Sequence, residues 1–426
     1  MHRPPEGAIL PPISTFGQAL RRQATPVALA VAAVCTLGLA VNIWMAVLNK
    51  AGWGLDYNQF YAASRLVGTG HAYDWEALRK IEAEHGPAVR TGRLPVVLYA
   101  HKALGSLPYA TARSIWLAVS IAALVLFAAF WPDTRGWRMM LALAWSMPAT
   151  LLLLYGQDVP FWLMFFGGGL WLMGRKKPWS AGVVFALCIC KFHLALGLVV
   201  MLAAQKRWKT LIAGAMAGAA LIASCFLIEG PGWPSQYAGV FAQMREFSPA
   251  PERMPNLRGI ASWLPWATTV EIVSAIAILW LLWAVCRSGP DLGTAGAAAA
   301  ACGLLFGHHG YAGDCLLLLP LSVLTIQRPG MPTWLAAWAA GMISPAPALL
   351  LVSDKPFLGQ ILVVAFTVTA TFFGRVKPLG QTAPAAWTAA PPVDAAETEP
   401  KLAEDSPYST TSTRVTISSR GSNAGQ

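Results

Sequence analysis

In a chain that is 56% hydrophobic and only 12% charged, the few ionisable groups set inside or beside apolar runs are the ones able to do chemistry. Asp56 stands near the start of GLDYNQFYAASRLVGTGHAYD, Gly54 to Asp74, just after the first long apolar run. A carboxylate held there, partly exposed and close to a bilayer surface, suits a general base that takes the proton from an acceptor hydroxyl as it attacks. Such a base contributes about 10²–10⁴-fold. The same residue also reads as the N-cap of a helix, with Gln59 three residues on completing a capping box, and the two roles are compatible. Arg65 falls where it complements that helix's C-terminal dipole, Gly68-Thr69-Gly70 ends it, and Asp74 caps a second helix from Trp75.

Lys191 interrupts the apolar CICKFHLALG, where a lysine costs about 2.5–3.5 kcal/mol at a helix centre. Either it snorkels at a hairpin tip, or its ammonium, with His193 nearby, binds a phosphate and stabilises the negative charge developing on it as it leaves. Further on, GHHGYAGDCLLLLP joins two apolar runs, with His308 and His309 ending one and Asp314 starting the next. One reading is an interfacial turn; the other is a histidine donating to a phosphate oxygen, oriented by a nearby acid. No second cluster with ligand spacing and no DxD motif accompanies the pair, so neither a metal nor any other cofactor is expected. The proline-rich loop from Glu229 to Pro265 carries Asn256 and Arg258, and reads as a lid, an acceptor-binding loop or a long connection.

The elements that must position these groups follow from hydropathy and charge. Apolar residues gather into repeated runs separated by short polar breaks across 426 residues, the profile of an all-α polytopic membrane protein. The net charge of +11 lies in small basic clusters between the runs and not on one basic face, so the partner is the lipid bilayer and not nucleic acid. The seven cysteines all sit in or beside apolar runs, with no CxxC pair. Arg21-Arg22 ahead of the run Pro26 to Leu48 reads as a retained signal anchor.

Keeping the clusters RGWR (Arg135 to Arg138), GRKK (Gly174 to Lys177), QKRWK (Gln205 to Lys209), Arg287, Arg328 and GRVK (Gly374 to Lys377) cytoplasmic fixes the parity of crossings. The spans then run 26–48, 111–131, 139–155, 158–173, a 179–204 hairpin, 207–228, 267–287, 292–307, 313–327, 332–352 and 356–373, roughly eleven in all. Between Lys177 and Lys206 there is too little chain for two full-length spans of about 20 residues each, which predicts short or re-entrant helices meeting near Lys191. The chain divides into a cytoplasmic segment 1–25, a transmembrane domain 26–375 with external loops at 49–110 and 229–266, and a disordered cytoplasmic tail 376–426 rich in Ala, Pro, Thr and Ser. This parity puts Asp56, Arg65, His71, YGQD (Tyr155 to Asp158), Lys191, Arg258, His308, His309 and Asp314 all on the outer side.

At these residues the sequence resembles glycosyltransferase family 87, the polyprenol-phosphate-mannose-dependent mannosyltransferases with the GT-C fold. The likeness runs in order over most of 26–328: DYNQFYAASRLVGTGHAYD, LPVVLYAHKALGSLPYATARSIW, YGQD, the AG…CKFH stretch and HHGYAGDCLLLLP. It implies a GT-C-type bundle with interfacial helices in the first external loop. The activity implied is inverting transfer of a sugar, typically mannose in that family, from a polyprenyl-phosphate donor to a hydroxyl of a glycolipid or glycan. By the resemblance Asp56 is the general base, and Lys191, His308, His309 and Arg65 are candidates for the donor phosphate. Tyr61, Gln157, Arg258, Tyr311 and Asp314 would support the site or contact substrate. The chain departs from the family's Tyr-Pro-Pro turn before the second span, with Pro95 and a His101-Lys102 pair instead. The expected place of work is the extracytoplasmic side of the cell (inner) membrane. A transporter or flippase of a lipid-linked envelope intermediate is the main alternative, and a non-catalytic assembly partner in envelope biosynthesis is another.

Overall fold

The computed structural model describes residues 54–134, 136–243 and 250–374. The expected 26–48 span, the segment 1–25 and the tail 376–426 lie outside the described residues. All regular structure among the described residues is helical, as a lipid-exposed chain requires, because a helix satisfies its own backbone where no water can. Four helices are long and apolar enough to cross a membrane: Tyr109–Phe130, Trp208–Glu229, Ala267–Arg287 and Pro356–Gly374. Two broken pairs raise that number to six if each is one span. The remaining apolar helices have 10–17 residues, so the described residues hold four to six full-length spans of the roughly eleven expected from hydropathy.

The breaks have local causes. Gly136–Trp145 and Met147–Tyr155 meet at 72° where Pro148 follows Ser146, whose hydroxyl accepts from Ala149 N–H. Thr333–Ile343 and Ala346–Val352 meet at 58° around Pro345 and Pro347. In each case proline removes a helical donor and cannot continue the preceding turn. The Leu292–Phe306 helix, LGTAGAAAAACGLLF, is almost wholly buried. Its small side chains let neighbours approach to backbone distance: Gly197 lies against the Ala299 carbonyl, and Leu170 fills the space beside Gly296.

The segment 178–204 forms a re-entrant arm. Pro178–Ala186 rises, a 3-10 stretch Leu187–Leu194 breaks at Lys191 (φ −134°, ψ 65°), and Leu196–Ala204 returns. Gly182, near the start of the first leg, packs on Thr210 and Gly214 near the start of Trp208–Glu229. Both basic ends of the arm therefore lie at one end of the bundle and Lys191 at the other.

Over that second end sits a cap of short helices, Leu55–Leu66, Trp75–Glu82 and Pro95–Ala100. Asp56 is not the N-cap of its helix. Gly54 takes that position with φ 75°, which glycine adopts without penalty, and Asp56 lies in the first turn. Asp74 does cap Trp75–Glu82, accepting from Glu76 and Ala77 N–H. The His101-Lys102 pair holds the cap together: Lys102 Nζ donates to the Val67 carbonyl at the end of the first helix, and buried His101 packs between Trp116 and Phe60.

Gly156 locks this cap to the bundle. Its φ of 77° turns the chain between two spans, its carbonyl accepts from Trp116 Nε1 at 2.8 Å, and a Cβ there would meet Tyr57 Cβ at 2.6 Å. Gly156→Ala is expected to destabilise the protein by about 2 kcal/mol or more, from left-handed strain plus the clash. A thermal midpoint of the purified variant equal to wild type would show that this turn carries no such constraint.

Candidate active site

A cleft of about 790 Å³, measured out to its open mouth, lies beneath the cap. Asp56, Gln157, Lys191, His308, His309 and Tyr311, drawn from four separate segments of the chain, share its walls. The link between spans at Gly156 and Gln157 brings the second of these to the first: Gln157 Nε2 donates to Asp56 Oδ2 at 2.7 Å, and Gln59 Nε2 donates to Oδ1 at 3.3 Å. Asp56 is half-buried and lines the cleft. Burial pushes its carboxyl above the ordinary aspartate range, against the lowering effect of the Gln157 hydrogen bond and of the Lys191 and Arg93 charges.

The same cleft has a cationic wall. Lys191 Nζ donates to Asp314 Oδ1 at 2.6 Å, a pair with side-chain exposures of 4% and 1%. An ammonium has three donors, so this bond orients Lys191 and leaves N–H groups for a ligand. The other oxygen of Asp314 accepts from Tyr311 N–H at 2.8 Å, so one carboxylate both aims the lysine and starts the 3-10 turn Ala312–Leu318. The Gly307–Tyr311 link is fastened from the long 229–266 loop: Asn256 caps Leu257–Ala261 and donates to the Gly307 carbonyl, and Arg258 Nη1 donates to the His308 carbonyl at 3.2 Å. Burial lowers both histidines, His309 to about 4 and His308 by a smaller step reinforced by Arg258. They therefore act near neutral pH as neutral hydrogen-bond donors or acceptors and not as charges.

Two arginines not singled out from the sequence, Arg93 and Arg90, stand in the same wall. Arg93 lines the cleft and makes a bidentate pair with Asp158, at 2.6 and 3.0 Å. Burial opposes the charges of both, but each partner more than restores the other, so Arg93 stays a cation and the Asp158 carboxyl lies below its ordinary range. Arg90 also lines the cleft, its guanidinium 4.5 Å from the Trp75 ring centre. The segment that carries these arginines is pinned at its base by Val89 N–H donating to Glu82 Oε2 at 2.5 Å.

Arg65 and Tyr61 are not brought to the cleft. Arg65 is exposed, its guanidinium 5.9 Å from the Tyr61 ring centre. Tyr61 is buried in an aromatic cluster with Tyr57, Tyr109 and His85, its hydroxyl donating to the Leu107 carbonyl at 2.8 Å. Arg258 and Asp314 stand behind the wall and act through His308 and Lys191. No group of three or more His, Cys, Asp or Glu side chains among the described residues has the arrangement of a metal site.

The arrangement sets one carboxylate with raised proton affinity in the same cleft as donors suited to an anion. That geometry serves deprotonation of a nucleophile with simultaneous departure of an anionic leaving group. The family model of glycosyltransferase family 87 matches residues 95–320, more than half of the chain. Comparison with curated proteins and with solved structures gave no match. The matched stretch starts after Asp56 and includes Gln157, Lys191, His308, His309 and Asp314.

Proposed function

The chain belongs to glycosyltransferase family 87, and from that premise we propose that it moves a sugar, mannose in the first instance, from a polyprenyl-phosphate donor to a hydroxyl of a glycolipid or glycan. The transfer inverts the anomeric centre and takes place at the extracytoplasmic face of the cell membrane. Asp56 is the general base. Its carboxylate takes the acceptor hydroxyl proton while that oxygen attacks the anomeric carbon from the face opposite the phosphate. The bond from anomeric carbon to phosphate oxygen breaks, and the polyprenyl phosphate leaves with the electron pair. Lys191 and Arg93 stabilise the charge that develops there, with N–H donors from His308 or His309 completing the set.

The observation that carries this reading is that Asp56, oriented by Gln157, shares one cleft with Lys191 and Arg93. A donor that is lipid-borne fits a cleft at the end of a membrane bundle, and an outer face is separated from cytoplasmic nucleotide sugars. For a transporter the polar groups would be expected near the bilayer midplane, whereas here they gather where helices end.

The test is turnover by the purified protein with polyprenyl-phosphate sugars against nucleotide sugars, with the anomeric configuration of the product read by NMR. Transfer from nucleotide sugars alone, or a product of retained configuration, would overturn the reading. The pH profile gives a second check. A base must be ionised to work, and this carboxyl is raised, so kcat/KM is expected to rise with pH through a limb above the ordinary aspartate value near 4. A limb at or below that value would remove Asp56 from the role.

A further inference from the structure

At the end of the bundle away from the cleft lies a groove of another kind. Two links mark that end: Asp133 Oδ2 accepts from Gly293 N–H at 2.7 Å, and Arg328 Nη1 donates to the Gly374 carbonyl at 2.9 Å. From there the Leu292–Phe306 helix runs 15 residues, about 22 Å, to the histidine link of the cleft. The groove lies between the first halves of the two broken pairs, Gly136–Trp145 and Thr333–Ile343, with Leu319–Gln327 as its third wall. It holds about 1,000 Å³ out to its open side. Leu141, Ile326, Ala340 and Ile343 line it, and the first two remain 42% and 43% exposed on a bundle whose surroundings are lipid. Hydrocarbon and not water therefore enters it.

Its polar side chains stand where its helices start or stop. Arg138 is in the first turn of Gly136–Trp145, and Gln327 is the last residue of Leu319–Gln327. The Arg138 guanidinium lies 5.4 Å from the ring centre of Trp137, which is 59% exposed. Arginine and indole together suit the depth at which headgroups meet hydrocarbon. No carboxylate among the described residues forms an ion pair with Arg138. A cation without a counter-charge at the mouth of an apolar groove fits an occupant that is apolar along its length and anionic at one end. A guanidinium holds phosphate through two parallel N–H bonds, and the Gln327 amide can donate to the ester oxygens beside it. A zwitterionic headgroup brings its own cation to that guanidinium, which weakens the attraction; an anionic headgroup does not.

We propose that this groove is a binding site for an anionic phospholipid of the leaflet on that side, with an acyl chain between the two broken spans and the phosphate on Arg138. The site is independent of the sugar donor that the cleft takes. It gives the bends of 72° and 58° a second use. The near halves of the two pairs border the groove, while the far halves pack together, Met147 and Leu151 with Ala348, and Leu152 lies against Gly313 beside Asp314. Met147–Tyr155 then leads into Gly156 and Gln157, and Gln157 orients Asp56. A chain that fills the groove thus braces the spans that carry part of the cleft.

The full-length protein, purified in detergent and stripped of lipid, is titrated with phosphatidylglycerol and with phosphatidylcholine of the same acyl chains. Bound lipid is counted by native mass spectrometry, and the thermal midpoint is followed alongside. Wild type is expected to bind phosphatidylglycerol about fivefold or more tightly than phosphatidylcholine, the effect of one arginine at the headgroup, and its midpoint to rise with phosphatidylglycerol concentration. Arg138→Gln removes the preference. Ala340→Phe, which fills the groove, lowers the affinity for both lipids by about tenfold as contact with several methylenes is lost. Lys177→Gln, exposed at the same end but outside the groove, keeps the preference and controls for diffuse attraction to charged lipid. Two variants of different kinds are used so that a folding defect in one, seen as a fallen midpoint without lipid, leaves the other decisive. Equal affinity of wild type for the two lipids overturns the proposal. So does a preference that survives Arg138→Gln or falls as far in Lys177→Gln, and so does phosphatidylglycerol binding unchanged in Ala340→Phe.

Discussion

Asp56→Asn is expected to lower sugar transfer by about 10²–10⁴-fold in a protein that still folds. Asparagine has nearly the same shape, and its amide oxygen can accept the hydrogen bond that Gln157 Nε2 now makes at 2.7 Å. Capping is not at stake, because Gly54 and not Asp56 occupies the N-cap of Leu55–Leu66. What the variant loses is a group that can take a proton, together with the negative charge facing Lys191 and Arg93. Removal of that charge leaves the cleft more positive, so binding of an anionic donor is expected to hold or tighten while kcat falls. Turnover with saturating donor, donor affinity and the thermal midpoint together decide the matter. Transfer at the wild-type rate from a folded variant would end the base assignment, and a collapsed midpoint would make Asp56 a structural residue first.

The polar members of the cleft were legible wherever they interrupt apolar sequence. Lys191 in CICKFHLALG, the His308-His309 pair and YGQD each stand out because lipid leaves little other use for them. The bend at Lys191 and the turn at Gly156 followed from charge parity. Arg65 and Tyr61 were misjudged for a reason the helical period already contains. At about 100° per residue, the ninth residue after Asp56 falls on the opposite side of the helix and the fifth lies well off its face, while Gln59 and Phe60 stay close to it. Those two do line the cleft. Arg93 left no such signal, since its partner Asp158 is 65 residues away and it reads alone as an ordinary residue of a link. Hydropathy counts apolar runs, and a buried leg such as Leu292–Phe306 or a re-entrant one such as Leu196–Ala204 is apolar without being long enough to cross alone, so the runs outnumber the four to six full-length spans among the described residues.

The second large effect belongs to Lys191. Its partner Asp314 is 1% exposed, so Lys191→Met strands a carboxylate in a setting of low polarity, and the expected loss of stability is about 3–5 kcal/mol. The double variant Lys191→Met with Asp314→Asn removes both charges, and its asparagine oxygen can still accept from Tyr311 N–H, the bond that starts the Ala312–Leu318 turn. Most of the lost stability is therefore expected to return in the double variant, because breaking a buried pair costs far more than replacing it. Activity is expected to behave differently. If Lys191 steadies the leaving phosphate, the double variant regains its thermal midpoint but not its transfer, remaining down by roughly 10²-fold or more as for the loss of one positioned donor. Recovery of both together would mean that the ammonium serves only to balance Asp314, and the anion would then have to be held by Arg93 and the histidine link without it.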